Sequence, residues 1–130
     1  MAVLKKIQTK SDWKIYQLET AFLEPPEFKV KLRFLNPFDL AADIATSSVD
    51  PRQIIKLASE AILEWELTDE NGQEILPTSE NKIDVLRQIG GEMVVSSSIP
   101  LALAIVNDAK SADFFLKASP GSVSGIETGV

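Results

Sequence analysis

Between Phe28 and Phe34 apolar and cationic residues alternate without a break: Phe28, Val30, Leu32 and Phe34 are separated by Lys29, Lys31 and Arg33. A period of two is that of an extended strand with one face buried and the other in water. Upstream, "DWKIYQLETAFL" is rich in β-branched and aromatic residues, the types that favour a pleated surface. The two runs are joined by "EPPE", whose prolines cannot continue a ladder and so mark a turn. The front of the chain is therefore expected to form an antiparallel hairpin.

After Leu35 the pattern changes. "NPFDLAADIA" predicts a short helix opening at Asn36, with Pro37 in its first turn. "DPRQIIKLASEAILEWEL" predicts a longer one. Asp50 fits the N-cap, Pro51 the first helical position, and Gln53 the position where a capping box wants Glu or Gln. Ile54, Leu57, Ala58, Ala61, Ile62 and Trp65 then recur at helical spacing and form one apolar stripe. A further helix is expected from Ser79 to Ile89, ended by Gly90 and Gly91. The stretch from Gly91 to Ser119 reads as one or two more helices, broken or kinked at Pro100. The closing "SPGSVSGIETGV" is polar and rich in Gly and Ser. These readings give a mainly α-helical α+β domain with an N-terminal antiparallel β-hairpin over residues 1–117, and a flexible C-terminal tail over 118–130.

Composition narrows the chemistry. With 130 residues, 45% hydrophobic and 25% charged, the chain has the size and balance of one globular domain. Cys is 0, which fits a reducing cytosol and removes thiol catalysis and thiolate metal sites. His is also 0, which removes the commonest general base and the commonest transition-metal ligand. The opening "MAVLKKIQTK" lacks the apolar core of a signal peptide, and "IPLALAIV" stops far short of a bilayer span. A cytoplasmic protein without membrane contact is expected. The net charge of −6 argues against nucleic acid as a partner. The charge is uneven: residues 1–35 hold seven cations against four acids, and the remainder six against fifteen. A cationic front and an anionic back can attract copies head to tail. A solvated surface with accidental asymmetry explains the same pattern.

The densest run of acids, "EWELTDENGQEILPTSEN" (Glu64 to Asn81), surrounds a tryptophan and an Asn-Gly pair. Aligned on Gly72, a calcium loop of the EF-hand type would begin at Leu67 and end at Thr78, and only Asp69 and Asn71 fit it. As catalytic carboxylates, Glu64, Glu66, Asp69, Glu70 and Glu74 sit beside a turn, where water keeps them ionised. "IGGE" lacks the lysine and spacing of a phosphate loop, and there is no nucleophile elbow. No enzyme is expected, and no metal or other cofactor. A turn is the better reading: Asn71 and Gly72 tolerate positive φ, Glu-Leu and Glu-Ile-Leu on either side suit a very short hairpin, and Thr78 and Ser79 cap the next helix. Trp65, Asn71, Gly72, Pro77 and Ser79 then form a structural joint.

That joint carries a resemblance. Trp65-x-Leu67, an acidic turn ending at Gly72, Ile75-Leu76-Pro77, and Ser79-Glu80-Asn81 opening a helix resemble the tail assembly chaperones of long, non-contractile-tailed (lambda-like) bacteriophages. The likeness covers roughly residues 27–117. It implies a non-enzymatic protein that self-associates and coats the tape measure protein before the tail tube polymerises. It also implies a longer form, made by ribosomal frameshift, that recruits the tail tube protein, and a location in the host cytoplasm.

On this reading copies associate through Lys29, Lys31 and Arg33 meeting Glu64, Glu66, Asp69 and Glu70, as an open-ended homo-oligomer. Phe114, Phe115 and Leu116 hold the helices of the tape measure. For the Phe pair a capped end to the core is the competing explanation, and for the basic strand a solvated edge protected by lysines. The rival classes are an acidic cytoplasmic adaptor or antitoxin-like protein that binds one basic partner, and a nucleic-acid binder using the Lys29, Lys31 and Arg33 face.

Overall fold

The computed structural model describes residues 1–36 and 50–116. Among these residues the chain forms a four-stranded antiparallel sheet with three α-helices packed on one face. The strands are β1 (Lys14–Glu19), β2 (Glu27–Leu32), β3 (Ile62–Trp65) and β4 (Met93–Val94), in the spatial order β3-β2-β1-β4. The helices are α1 (Pro51–Ala61), α2 (Ser79–Ile89) and α3 (Leu101–Lys110), and a 3₁₀ turn follows at Ala112–Phe115.

This corrects the expected fold class. The predicted hairpin is present as β1 and β2, with Tyr16 opposite Phe28 and Lys14 opposite Val30. It is the centre of a larger sheet rather than an N-terminal appendage, because two later segments add a strand to each side of it. Its alternation is realised as read: Phe28, Val30 and Leu32 are fully buried, while the lysines between them are half-buried on the other face. Ser11 extends the ladder. Its N–H donates to the Leu32 carbonyl at 2.8 Å and its hydroxyl accepts from the Leu32 N–H at 2.9 Å.

The second correction concerns the long helix. Asp50 Oδ1 accepts from the Arg52 N–H at 2.9 Å and Pro51 opens α1, but the helix stops at Ala61. Ile62–Trp65 is the edge strand β3, paired with β2. Trp65 lies opposite Val30, Glu64 opposite Lys31 and Ile62 opposite Leu32, so Leu63 is an extra residue on β3, a bulge. The bulge explains how Ile62 and Trp65, three apart, both face the core: strict alternation would place them on opposite faces.

Beyond β3 the chain makes a small ladder, with Thr68 bridged to Glu74 and the Ile75 N–H donating to the Leu67 carbonyl at 3.0 Å. Helix α2 has the predicted bounds, with Thr78 Oγ1 accepting from the Asn81 N–H at 3.2 Å. Ser79 is its first residue and not its cap. In place of a helix before Pro100 there is β4 and a tight turn, in which the Ser98 N–H donates to the Val94 carbonyl at 2.8 Å. Helix α3 starts directly after Pro100. The predicted helix over 36–45 and the tail over 118–130 lie outside the described residues, apart from Asn36.

The core lies between the inner sheet face and the helices. Tyr16, Leu18, Phe28, Val30, Leu32 and Trp65 meet Leu57, Ala58 and Ala61 of α1, Leu86 and Ile89 of α2, and Leu101 and Ile105 of α3. Phe28 and Trp65 touch edge to face, ring centroids 5.9 Å apart.

One buried polar group faces that core. The Tyr16 hydroxyl donates to Asp108 Oδ2 at 2.6 Å, tying β1 to α3 across 92 residues. Burial, and then the hydrogen bond to Asp108 and its charge, push the Tyr16 phenol far above the usual tyrosine range. An unfolded tyrosine ionises near pH ~10. The stabilising contribution of Tyr16 is therefore complete below that pH and is lost as pH rises above it, because the unfolded chain releases the proton first. Tyr16 is the single tyrosine, so tyrosinate absorbance reports it alone. In an alkaline titration that absorbance is expected to appear together with the loss of circular dichroism. Ionisation near pH ~10 with the fold intact would contradict the buried phenol. Tyr16→Phe is expected to lower stability by about 1–2 kcal/mol, because Asp108 loses its short partner.

Candidate functional site

The helices cover one face of the sheet, and no described helix covers the other. The outer face shows Ile15 from β1 and Met93 from β4, 44% and 43% exposed, with Val95, 53% exposed, just beyond β4. On β2 its residues are Glu27, Lys29 and Lys31, and on β3 Glu64. Trp13, which precedes β1, lies against the two lysines: each Nζ stands 5.0 Å from its ring centroid.

The charged residues expected to join two copies meet within one. Lys31 is the cross-strand partner of Glu64, and Lys29 Nζ lies 3.2 Å from Glu66 Oε1. Lys10 Nζ donates to Glu64 Oε2 at 2.7 Å. That bond first, and the Lys10 and Lys31 charges with it, hold the Glu64 carboxyl below its ordinary range. Arg33 Nε donates to the Glu60 carbonyl at 2.6 Å, at the C-terminal end of α1. Lys10, Lys29 and Lys31 of the cationic front thus already lie beside Glu64 and Glu66 of the acidic back within one copy.

Asp69 and Glu70 have a different setting. They belong to the turn after β3, which faces the loop between β1 and β2 across a groove of about 730 Å³. Glu24 and Glu27 line one wall; Glu66, Asp69 and Glu70 line the other. Among the described residues Lys29 is its one cation. Phe22, 57% exposed, and the half-buried Leu23 and Leu67 supply apolar surface.

The joint residues explain this wall. Trp65 is 5% exposed, and its indole N–H donates to the Ile75 carbonyl at 2.7 Å, which pins the small ladder onto the sheet. Asp69 Oδ1 accepts from the N–H groups of Asn71 and Gln73, at 2.8 and 3.0 Å. Its carboxylate is engaged in forming the turn. Gly72, at φ +80°, supplies the left-handed residue. Asn81 Nδ2 donates to the Leu76 carbonyl at 2.9 Å, beside the half-buried Pro77. Among the described residues no group of three or more acids is arranged to hold a metal ion.

The proposed partner-binding triad divides. Phe115 is 1% exposed and packs edge to face on Phe34 and Phe114, at 5.6 and 5.2 Å, so it belongs to the core and offers no surface. Phe114 is half-buried. Leu116, also half-buried, bridges Ile7 at the front of the chain.

Sequence reasoning missed Phe22, Trp13 and Lys10. Phe22 carried a signal, since it lies in the loop between the end of β1 and Pro25, past the last inner position of the strand. Trp13 and Lys10 carried none, because they take their places from non-local pairing.

No family model, no curated protein and no solved structure matches this chain. Among the described residues no helix is long and apolar enough to cross a membrane.

Proposed function

We propose that this chain is a non-enzymatic tail assembly chaperone of the lambda-like phage type. Copies self-associate and coat the tape measure protein in the host cytoplasm before the tail tube forms, and a longer form recruits the tube protein. The observation that supports this reading is the outer face of the sheet, which no described helix covers. It exposes Ile15, Met93 and Val95 beside a tryptophan held by two lysines. Exposed apolar side chains gathered on one face mark an interaction surface. A rigid sheet backed by helices suits a protein that lies along a helical partner and against its own copies.

Sedimentation velocity over a wide range of concentration, at low and high salt, tests this function. The expected result is a sedimentation coefficient that keeps rising with concentration and falls with added salt, the behaviour of head-to-tail association between charged surfaces. A sharp monomer or a closed dimer under every condition would replace the chaperone by the acidic adaptor.

A further inference from the structure

The sheet has two dissimilar ends. At the end where β2 begins, the groove displays Phe22 between two walls carrying five carboxylates and one ammonium. At the other end Leu32 joins Ser11, and the chain continues back to Gln8, whose N–H donates to the Phe115 carbonyl at 2.9 Å. Beyond that anchor residues 1–7 are exposed. Val3 and Leu4 are 86% and 93% exposed, and Lys5 and Lys6 follow them. A short segment that is apolar and then cationic thus projects from one end of a domain whose other end carries an apolar, acid-walled groove.

We infer that the groove receives the segment Met1–Lys6 of a second copy, with Leu4 against Phe22 and Lys5 and Lys6 between the carboxylates of Glu24 and Glu70. This deepens the self-association in the proposed function and rests on it. Charge complementarity selects the occupant: the segment carries two cations and no acid, and among the described residues the groove has four more acids than cations. The strand β2 alone sets the two features about 20 Å apart, at roughly 3.4 Å per residue, and Gln8 lies past its far end. Opposite placement makes the contact heterologous, so each added copy leaves one groove and one segment free and growth continues past the dimer, into a filament or, where the rotation per copy closes, a ring. It also supplies inter-copy cations, a role for which Lys29 and Lys31 are poorly placed because they are matched within their own sheet.

Two full-length variants test the arrangement. The segment variant is Leu4→Ser/Lys5→Glu/Lys6→Glu; the groove variant is Phe22→Ser/Glu24→Gln/Glu70→Gln, neutral so that the altered groove does not attract the altered segment. All six positions are exposed, and thermal melts followed by circular dichroism check that both variants fold. Each alone is expected to need at least about tenfold higher concentration than the unaltered chain to associate. Mixed in equal amounts, they retain one intact segment and one intact groove between them. The mixture is therefore expected to form a one-to-one heterodimer that grows no further.

Association of the segment variant at the unaltered concentration would overturn the inference. So would loss in the groove variant alone, which would assign the groove to another occupant, and so would a mixture that stays monomeric. In all three cases self-association of the unaltered chain keeps the function reading standing. An unaltered chain that never associates removes both.

Discussion

Trp65→Ala is expected to destabilise the fold by about 3–5 kcal/mol, the range for deleting a large buried aromatic side chain. Two losses combine. The ring leaves a cavity against Phe28, its edge-to-face neighbour in the core. The Ile75 carbonyl also loses its indole donor, which frees the small ladder that forms one wall of the groove. Trp65→Phe separates the two effects, because it keeps most of the packing and removes the N–H; a loss of about 1–2 kcal/mol is expected. Urea unfolding followed by far-ultraviolet circular dichroism measures both. A domain of this size has about 5–15 kcal/mol in all, so the alanine variant stands close to unfolding. A loss below about 1 kcal/mol would mean that the indole does not anchor the ladder.

The adjacent glycines at the end of α2 are expected to respond in opposite ways. A Cβ at Gly90 would run into the Leu86 carbonyl oxygen and stand 3.3 Å from the Ala102 Cβ. Neither can yield easily. Leu86 is buried helix backbone, and Ala102 belongs to α3, whose N–H at that residue donates to the Gly90 carbonyl at 3.0 Å. Gly90→Ala is therefore expected to cost about 1–3 kcal/mol through overpacking between α2 and α3. At Gly91 an added Cβ meets nothing within 4 Å. Gly91→Ala is expected to be neutral or to raise stability by about 0.4–1 kcal/mol, because it restricts the unfolded chain. Thermal melts of the two variants side by side decide the matter. Equal losses at both positions would remove close helix packing as the cause.

These two sites show what could be read from the residues alone. The hairpin was legible because its inner face alternates with charge, and α2 was legible because Thr78 opens it and the glycines close it. β3 was not. Its bulge at Leu63 spaces Ile62 and Trp65 three apart, the same interval a helical stripe uses, so the apolar pattern of α1 runs on into the strand. β4 was hidden for another reason: two residues are too few to show any period, and they become a strand only because Leu18 and Glu19 are there to pair with them. The acidic turn was identified from Asn71 and Gly72. The wall opposite it was not, since nothing local says that Glu24 faces Glu70. On the sequence alone Phe115 is assigned to partner binding against the alternative of a capped end to the core, and it is buried against Phe34, far away in sequence.

The sheet order β3-β2-β1-β4 also bears on how the chain reaches this state. Only the central pair is local, Lys14 to Val30; Val30 must find Trp65, and Leu18 must find Val94. Closing those longer loops loses chain entropy before the contacts repay it. The hairpin can therefore form early as a template, while both flanking strands join late. Until they do, each side of the hairpin offers unpaired backbone amides and carbonyls to any neighbouring chain. Under the proposed function, in which copies gather on one another, timely arrival of β3 and β4 separates ordered assembly from aggregation.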